Sequence, residues 1–265
     1  MLDRHRDAAA LPLLLKELKL GTVLRHWEAV ADQAHQAHWT HSQFLMNLVE
    51  LEVAERKQRR IARYIAAAKL PVGKTIDTFE FKATPSLNSA HIIALLEQTD
   101  WVDQASNILL FGPSGVGKTH LAAAIGYRLI EQGIKVLFSS TTAMVQQLQR
   151  AKKELRLPEM LDRLGRFPVV ILDDIGYAKK SDTETSVLFE LIAERYESGS
   201  MIITSNQSFG DWDQIFPDSV MAVAAIDRLV HHSSIFNITD ESYRKRHVMG
   251  PQQHINLDEG ANGSE

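Results

Sequence analysis

Apolar side chains recur at helical spacing along the N-terminal quarter of the chain. Residues 11–33 predict one amphipathic helix. Thr40, with Gln43 three residues later, has the pattern of a capping box that starts a second helix, and Pro71 should end it. The apolar positions of this second helix are Phe44, Leu45, Leu48, Leu51, Ile61 and Ile65. The pattern predicts a small all-α domain over residues 1–74.

Further along, short β-branched runs alternate with helical patterns. The predicted strands are 107–111, 135–140, 168–172, 200–204 and 233–238. The predicted helices are 88–99, 118–132, one after Thr142 and one after Asp182. Gly133 and Gly199 fall where helix C-caps are expected. Strands separated by helices predict an α/β fold with a mostly parallel five-stranded sheet that is covered on both faces.

The composition changes to Pro, Gly, Lys and Thr between Leu70 and Ser86, which predicts a domain boundary there. We therefore expect a helical domain over residues 1–74 and an α/β core over residues 75–250. The tail, residues 251–265, is polar and has no apolar periodicity, so it is predicted to be disordered.

The overall composition is that of a globular protein, with 45% hydrophobic and 23% charged residues among 265. The absence of cysteine excludes disulfides and thiolate metal sites and is typical of a reducing compartment, so a cytoplasmic protein is expected. The apolar run at residues 8–15 is interrupted by charged residues directly after it, unlike a secretory signal. No apolar run is long enough for a membrane span.

The net charge of -4 conceals an asymmetry along the chain. Residues 1–74 contain 12 Lys/Arg and 8 Asp/Glu, a net +4, whereas the remainder contains 17 and 25, a net -8. No acidic residue lies between positions 56 and 74, where basic residues cluster on a predicted helix. Such a surface can follow DNA phosphates, although a solvated helix face explains it equally well from charge alone. The candidate DNA contacts are Arg56, Lys57, Arg59, Arg60 and Arg63.

The run GPSGVGKT at residues 112–119 follows a predicted strand and opens a predicted helix, as the Walker A phosphate loop requires. Glycines let backbone N–H groups curve around phosphate oxygens at a helix N-terminus. Lys118 should contact the β- and γ-phosphates of ATP, and the Thr119 hydroxyl should ligate Mg²⁺. The predicted nucleotide-binding residues are Gly112, Pro113, Ser114, Gly115, Val116, Gly117, Lys118, Thr119 and His120.

Two carboxylates, Asp173 and Asp174, end the apolar run at residues 169–172. At the carboxyl end of a parallel strand, Asp173 would ligate Mg²⁺ and Asp174 would orient or deprotonate the attacking water. Taken alone, an apolar run that ends in two Asp residues is equally typical of a surface turn after a strand, and its pairing with the upstream loop favours the catalytic role. Asn206 follows the next strand, where a neutral amide can hold the water or the γ-phosphate.

Several motifs together resemble the IstB-like transposition helper ATPases, relatives of the bacterial replicative helicase loaders. They are GPSGVGKTHLAAAIG, VVILDDIG, ITSNQSFGDW, and AIDRLVHHSSIFNI followed by SYRKR. The resemblance also covers the N-terminal LKELKLGTVLRHWEAVADQA.

The resemblance implies a P-loop AAA+ core in a homo-oligomer whose subunits complete each other's ATP sites. Arg228 is then the finger supplied in trans and Arg244 the second sensor, although each is an ordinary surface arginine by composition alone. The implied partners are duplex DNA and a transposase of the same element. A helicase loader, or a protein in which ATP only locks an oligomer on DNA, are the alternatives.

Two departures from AAA+ patterns are visible. Asp174 stands where many such proteins have Glu, so slow hydrolysis, stimulated by DNA or partner, is expected. The region after Asn206, about 60 residues, leaves room only for a reduced C-terminal lid.

Overall fold

The computed structural model describes residues 10–176, 181–214 and 219–243, and the chain divides into two compact units, Met1–Ala67 and Ala68–Glu265. The first unit contains α1 (Leu11–Glu17), α2 (Gly21–Gln36) and most of α3 (His41–Ala68). The single helix predicted over residues 11–33 is therefore wrong. It breaks at Leu18–Leu20, where Lys19 has a left-handed backbone with φ 57°.

The three helices of the first unit pack around a small apolar core of Leu15, Val23, Val30 and Leu48. A buried carboxylate joins two of them: Glu52 of α3, only 5% exposed, accepts hydrogen bonds from the amides of Thr22 (2.8 Å) and Val23 (3.1 Å). These amides lie in the first turn of α2 and have no partner within that helix. Glu52 therefore caps α2 from the neighbouring helix.

The division between the units falls after Ala67 rather than after residue 74. Ala68 (0% exposed) and Leu70 (8%) are buried, and a Cβ at Gly126 would lie 2.9 Å from a Leu70 methyl group. Leu70 thus packs within the second unit, because Gly126 leaves room for its side chain.

The second unit is built on one parallel sheet of the five strands β1 (Asn107–Phe111), β2 (Val136–Ser140), β3 (Val169–Asp173), β4 (Ser200–Ser205) and β5 (Ser233–Asn237). Their order is β2-β3-β4-β1-β5, and every pair is parallel. All five residues of β1 are buried, as expected for a central strand covered on both faces. The predicted α/β fold with a five-stranded parallel sheet is confirmed.

Seven helices are described in this unit: α4 (Ser89–Glu97), α5 (Asp100–Asp103), α6 (Lys118–Glu131), α7 (Thr141–Lys153), α8 (Leu157–Gly165), α9 (Asp182–Arg195) and α10 (Ser219–Val230). Sequence patterns did not predict α8, a short helix with Pro158 in its first turn. The described residues after Asn206 form a 3₁₀ turn, α10 and β5. The predicted disordered tail, residues 251–265, lies outside the described residues, and so does the end of the predicted lid region, residues 244–250. No described helix is both long and apolar enough to cross a bilayer.

The two predicted glycine C-caps differ. Gly133 follows α6 with φ 89°, as predicted. After α9 the left-handed residue is Glu197 (φ 56°), so Gly199 is not the cap. A Cβ at Gly199 would lie 2.6 Å from the Arg195 guanidinium, which donates to the carbonyls of Pro168 and Ser200 at 2.9 Å. Gly199 is needed for this close approach.

The sheet order decides which loops meet. β1 lies beside β4, and β4 lies beside β3, so the carboxyl ends of these three strands share one edge. Residues that follow β1, β3 and β4 are therefore neighbours at about 4.8 Å strand spacing. This edge holds the candidate site.

Candidate nucleotide site

The loop from β1 to α6 has the backbone that its glycines permit. Gly112, Gly115 and Gly117 have φ values of 145°, 88° and 102°, which side-chain-bearing residues rarely adopt. Gly117 is the N-cap of α6 and has no side chain with which to cap this helix. The helix dipole favours negative charge at this end of α6.

Two distant segments close around this loop. A Cβ at Gly112 would overlap the carbonyl oxygen of Ile238, just after β5, and a Cβ at Gly117 would lie 3.1 Å from the Phe79 ring. Both glycines are therefore required for packing as well as for backbone conformation. At these two positions the loop packs so closely against the protein that a side chain would not fit.

Lys118 begins α6 and is largely buried, with 8% exposed. Its ammonium donates to the carbonyls of Gly112 (2.7 Å) and Pro113 (2.8 Å). These two bonds hold the Lys118 side chain across the loop at residues 112–117. Thr119 is half-buried at the next position. A cationic group and a hydroxyl thus stand at one phosphate loop, as the sequence predicted.

The Asp173 carboxylate and the Asp174 backbone are held by hydroxyl groups of neighbouring elements. Thr204 of β4 donates to Asp173 Oδ1 at 2.7 Å, and the same hydroxyl accepts from the Asp174 amide at 2.8 Å. Thr141 donates to the Asp173 carbonyl at 3.0 Å. Asp174 itself is left-handed, with φ 63°. The turn after β3 is thereby fixed against β4.

Asn206 lies at the same edge, one residue beyond β4. A Cβ at Gly176 would be 2.9 Å from Asn206 Oδ1, so the amide stands beside the segment that follows Asp174. The Gly112 amide donates to the Ser205 carbonyl at 3.2 Å, which ties the start of the phosphate loop to the end of β4. The structure therefore brings the phosphate loop, both carboxylates and Asn206 to one edge.

His120, predicted to contact nucleotide, faces the segment before the sheet. Its Nε2 lies 3.0 Å from the Thr75 carbonyl and 3.1 Å from Thr78 Oγ1, and its ring meets the Phe79 ring edge-on at 5.3 Å. These contacts join α6 to residues 75–79. The position of His120 favours a supporting contact over a direct one.

A C-terminal segment, residues 238–243, also crosses the loop. The Tyr243 amide donates to the Gly115 carbonyl at 3.0 Å, and the Tyr243 hydroxyl donates to Glu80 at 3.0 Å. Asp240 accepts from the Ser86 hydroxyl. The predicted sensor Arg244 lies outside the described residues, immediately after this segment.

Arg228 is not part of this cluster. It lies in the last turn of α10, donates to the Ala224 carbonyl at 2.9 Å, and stacks over the Phe189 ring at 5.1 Å. The next residue, Leu229, accepts from Asn107 at the start of β1, whereas the phosphate loop follows the end of β1. A five-residue strand, roughly 16 Å long, separates the two positions along the sheet.

The predicted basic face on α3 is partly engaged within the first unit. Arg56 donates to Glu52 and to the Lys19 carbonyl, both at 2.7 Å, and Arg59 is paired with Glu55. Sequence inspection noted the lack of acids after residue 56 but missed the acids one turn earlier. The other predicted contacts, Lys57, Arg60 and Arg63, are exposed.

The donor set at the sheet edge fits a magnesium-bound nucleoside triphosphate. Mg²⁺ takes hard oxygen ligands, and the Thr119 hydroxyl and the Asp173 carboxylate are of the kind that could hold it, with water and phosphate as further ligands. The positive-φ loop and the Lys118 ammonium suit phosphate oxygens. Thr204 and Tyr243 were not predicted, because cross-strand and long-range hydrogen bonds leave no local pattern. One sequence signal could have identified Thr204: it is a hydroxyl residue that directly follows the apolar run of a predicted buried strand.

Similar proteins are known from insertion sequences. The IstB-like ATP binding protein family matches residues 13–250. A Sinorhizobium fredii protein described as an insertion sequence ATP-binding protein is 48% identical over 94% of this chain and 83% of its own length. The corresponding protein of IS5376 from Geobacillus stearothermophilus is 44% identical over 86% of this chain and 91% of its own. That of IS21 from Pseudomonas aeruginosa is 38% identical over 88% of each.

Two solved structures share the fold. The DnaI structure has a TM-score of 0.53 at 21% identity and covers 65% of this chain and 96% of its own. AMPPCP-bound DnaA from Aquifex aeolicus has a TM-score of 0.54 at 20% identity and covers 66% and 53%. At this identity they support the AAA+ type of α/β fold alone. With a family match over nearly its whole length and relatives of 38–48% identity, this chain belongs to the IstB-like ATP-binding proteins.

Proposed function

We propose that this protein is a Mg²⁺-dependent ATPase that assembles on duplex DNA and assists transposition by recruiting or stimulating a partner transposase. The observation that carries the ATPase part is the single sheet edge that gathers Lys118, Thr119, Asp173, Asp174 and Asn206. Membership of a family known from insertion sequences supports the transposition part.

Each residue of the edge has a chemical role in this proposal. Lys118 and the loop amides bind the β- and γ-phosphates, while Thr119 and Asp173 hold the metal ion, which neutralises charge that develops on the phosphate oxygens. Asp174 orients a water molecule and accepts its proton as the water oxygen bonds to the γ-phosphorus and ADP leaves. Asn206 hydrogen-bonds the water or the γ-phosphate without adding charge.

Arg228 completes a neighbouring subunit's site in this proposal. Its place near the start of β1, away from the phosphate loop of its own chain, is unsuited to a role in cis. A cationic group brought by the next subunit would stabilise the transferring phosphoryl group. Hydrolysis then depends on assembly.

DNA binding is assigned to α3, chiefly to Lys57, Arg60 and Arg63. These side chains are exposed, whereas Arg56 and Arg59 have ion-pair partners in the same helix. Contacts of this kind position a protein on phosphates without reading the base sequence.

Nucleotide and DNA binding by purified protein test the proposal. The unaltered protein should bind ATP, hydrolyse it with Mg²⁺, and bind duplex DNA more tightly with ATP than without. Lys118→Ala should abolish nucleotide binding, whereas Lys16→Ala, an exposed lysine of α1, should not. Equal retention of ATP by both variants would refute the site. Binding to a hexameric helicase instead of ATP-dependent DNA binding would favour a helicase loader.

The DNA surface has its own test. Replacing Lys57, Arg60 and Arg63 by Gln should weaken duplex binding uniformly across sequences and lower the salt slope of log K by about 2–3, near 0.9 per lost phosphate contact. A matched triple change of Lys16, Lys82 and Arg166, also exposed, removes the same charge. If both triples weaken binding equally, net charge is responsible and the assignment to α3 is wrong.

A further inference from the structure

Thr204 is the last residue but one of β4, a strand that is buried along its whole length and ends at the nucleotide edge. Its strand lies between β3 and β1, it pairs with Leu110 of β1, and it is only 1% exposed. The preceding positions of the strand, Ile202 and Ile203, are purely apolar. A hydroxyl at such a depth is unfavourable unless it is hydrogen-bonded, so its partners indicate its purpose.

The two partners of the Thr204 hydroxyl are the last residue of β3, Asp173, and the first residue after it, Asp174. The Asp174 amide can only donate, so at 2.8 Å the hydroxyl must accept from it. The single hydroxyl proton is then free to point at Asp173 Oδ1, 2.7 Å away. The chemistry of the groups thus fixes the direction of both bonds, and Thr204 engages the Asp173 carboxylate through Oδ1.

The Thr204 backbone contributes a third bond to this turn. Its carbonyl accepts from the Ile175 amide at 3.0 Å. Between the two anchored amides, Asp174 adopts φ 63°, a left-handed conformation that is unfavourable for most residues with a side chain. Side chain and main chain of one residue therefore hold both ends of the bend that carries Asp174.

We propose that Thr204 is a positioning residue, which aims the Asp173 carboxylate at the metal and fixes the turn that presents Asp174. This inference rests on the proposed function. A hydroxyl suits the role because it orients a carboxylate without neutralising it, whereas a lysine or arginine would compete with the metal for the same charge. Partners of this kind around metal ligands typically change metal affinity by about 10–100-fold when removed.

Thr204→Val keeps the shape of the side chain and removes only the hydroxyl, whereas Thr204→Ser keeps the hydroxyl. Mn²⁺ binding in the presence of a non-hydrolysable ATP analogue, followed by electron paramagnetic resonance, measures the metal directly. Thr204→Val should bind Mn²⁺ at least about tenfold more weakly. The Mn²⁺ affinity of Thr204→Ser should lie within about twofold of that of the unaltered protein. Analogue binding in EDTA should be the same for all three, since the phosphate loop is intact.

Thr185→Val is the matched control, because Thr185 is also buried (2% exposed) and its hydroxyl donates to the Ser181 and Asp182 carbonyls of its own helix. It should leave Mn²⁺ binding unchanged. Unaltered Mn²⁺ affinity in Thr204→Val, or equal loss in Thr204→Ser, would overturn the inference, the second result assigning the effect to packing. If Thr204→Val does not fold, the Mn²⁺ affinity of Thr204→Ala is compared with that of Thr204→Ser instead, and only Thr204→Ala should bind more weakly than the unaltered protein. If the unaltered protein binds no Mn²⁺ with nucleotide, the proposed function itself fails.

Discussion

At the scale of single residues, the site depends on backbone conformations that few side chains tolerate. Asp174 is left-handed at φ 63°, and Gly112 has φ 145° beneath the Ile238 carbonyl. Strained residues of this kind persist only where the surroundings fix them. Thr204 fixes Asp174 by accepting hydrogen bonds from the amides of Asp174 and Ile175. The Ile238 carbonyl, just after β5, packs against Gly112 and fixes its conformation.

Asp174→Asn separates the chemistry of Asp174 from its conformation. Asn tolerates the left-handed region, so the turn should survive, while the basic oxygen that accepts the proton is lost. We expect kcat to fall at least about 100-fold with ATP affinity nearly unchanged. Steady-state hydrolysis and nucleotide titration measure the two effects. Asp162→Asn, an exposed residue of α8, is the control, and unchanged hydrolysis in Asp174→Asn would disprove water activation by this carboxylate.

Gly112→Ala should destabilise the second unit and prevent nucleotide binding. The added methyl group meets a main-chain oxygen that cannot move without displacing β5, and the backbone conformation is suited to glycine alone, so a loss of at least about 2 kcal/mol is expected. Gly73→Ala provides the comparison, because its φ of 77° is also positive but nothing lies within 4 Å of the new methyl group. Urea unfolding should show a loss near 1 kcal/mol there. Equal losses would mean that backbone strain alone matters.

At the scale of elements, the Glu52 side chain joins α3 to the start of α2 in the first unit. Burial raises the pKa of Glu52, but hydrogen bonds from Arg56 and from the amides of Val23 and Thr22 outweigh it, so the pKa lies below its usual 4.5. A carboxyl whose folded pKa is lowered stabilises the fold above pH 4.5, and this contribution is lost as the pH falls through the folded value.

Glu52→Gln should therefore loosen the start of α2 at neutral pH and matter less in acid. We expect a loss of about 2 kcal/mol near pH 7, read as faster hydrogen exchange of the Thr22 and Val23 amides. The difference in stability between Glu52→Gln and the unaltered protein should become smaller below pH 4.5. Glu28→Gln, exposed on α2, should change neither. A difference that grows toward low pH would contradict the assigned sign.

Sequence patterns predicted elements best where burial is continuous. The apolar runs of all five strands were recognised. β1, β3 and β4 are buried along nearly their whole length, so they read as unbroken apolar stretches. The outer strands β2 and β5 are only partly buried. The break at Lys19 was missed, because a left-handed residue other than glycine leaves no periodic signal. The boundary at residue 74 was placed by composition, whereas the packing of Leu70 on Gly126 decides where the second unit starts.

At the scale of the whole molecule, sheet order converts separated motifs into one site. The two Walker motifs and Asn206 could be assigned from their order and from the strands before them, since carboxyl ends of parallel strands meet at one edge. The supports of this edge could not, because Thr204, Phe79 and Tyr243 act across strands or over long stretches of chain. Arg228 lies elsewhere, near the start of β1, which is why we propose that it acts in a neighbouring subunit's site.

Mixing two inactive variants tests whether Arg228 acts in trans. Asp174→Asn retains the arginine, and Arg228→Ala retains the water-activating carboxylate, so some interfaces of a mixed assembly contain one intact copy of each. At equal amounts roughly a quarter of the sites should recover if interfaces are head-to-tail. Hydrolysis of the mixture is compared with each variant alone, with assembly size checked by ultracentrifugation. No recovery in assemblies of normal size would exclude the role in trans.

The hydrogen bond from Tyr243 to Gly115 makes the end of the described chain a structural part of its nucleotide loop. Shortening the polypeptide after Ile238 would leave every Walker residue in place, yet it would withdraw a donor from the loop's own carbonyl and release Glu80 and Ser86 on the opposite flank. Truncations intended to map partner binding at this terminus would therefore alter ATP handling as well, and the two effects would have to be measured separately.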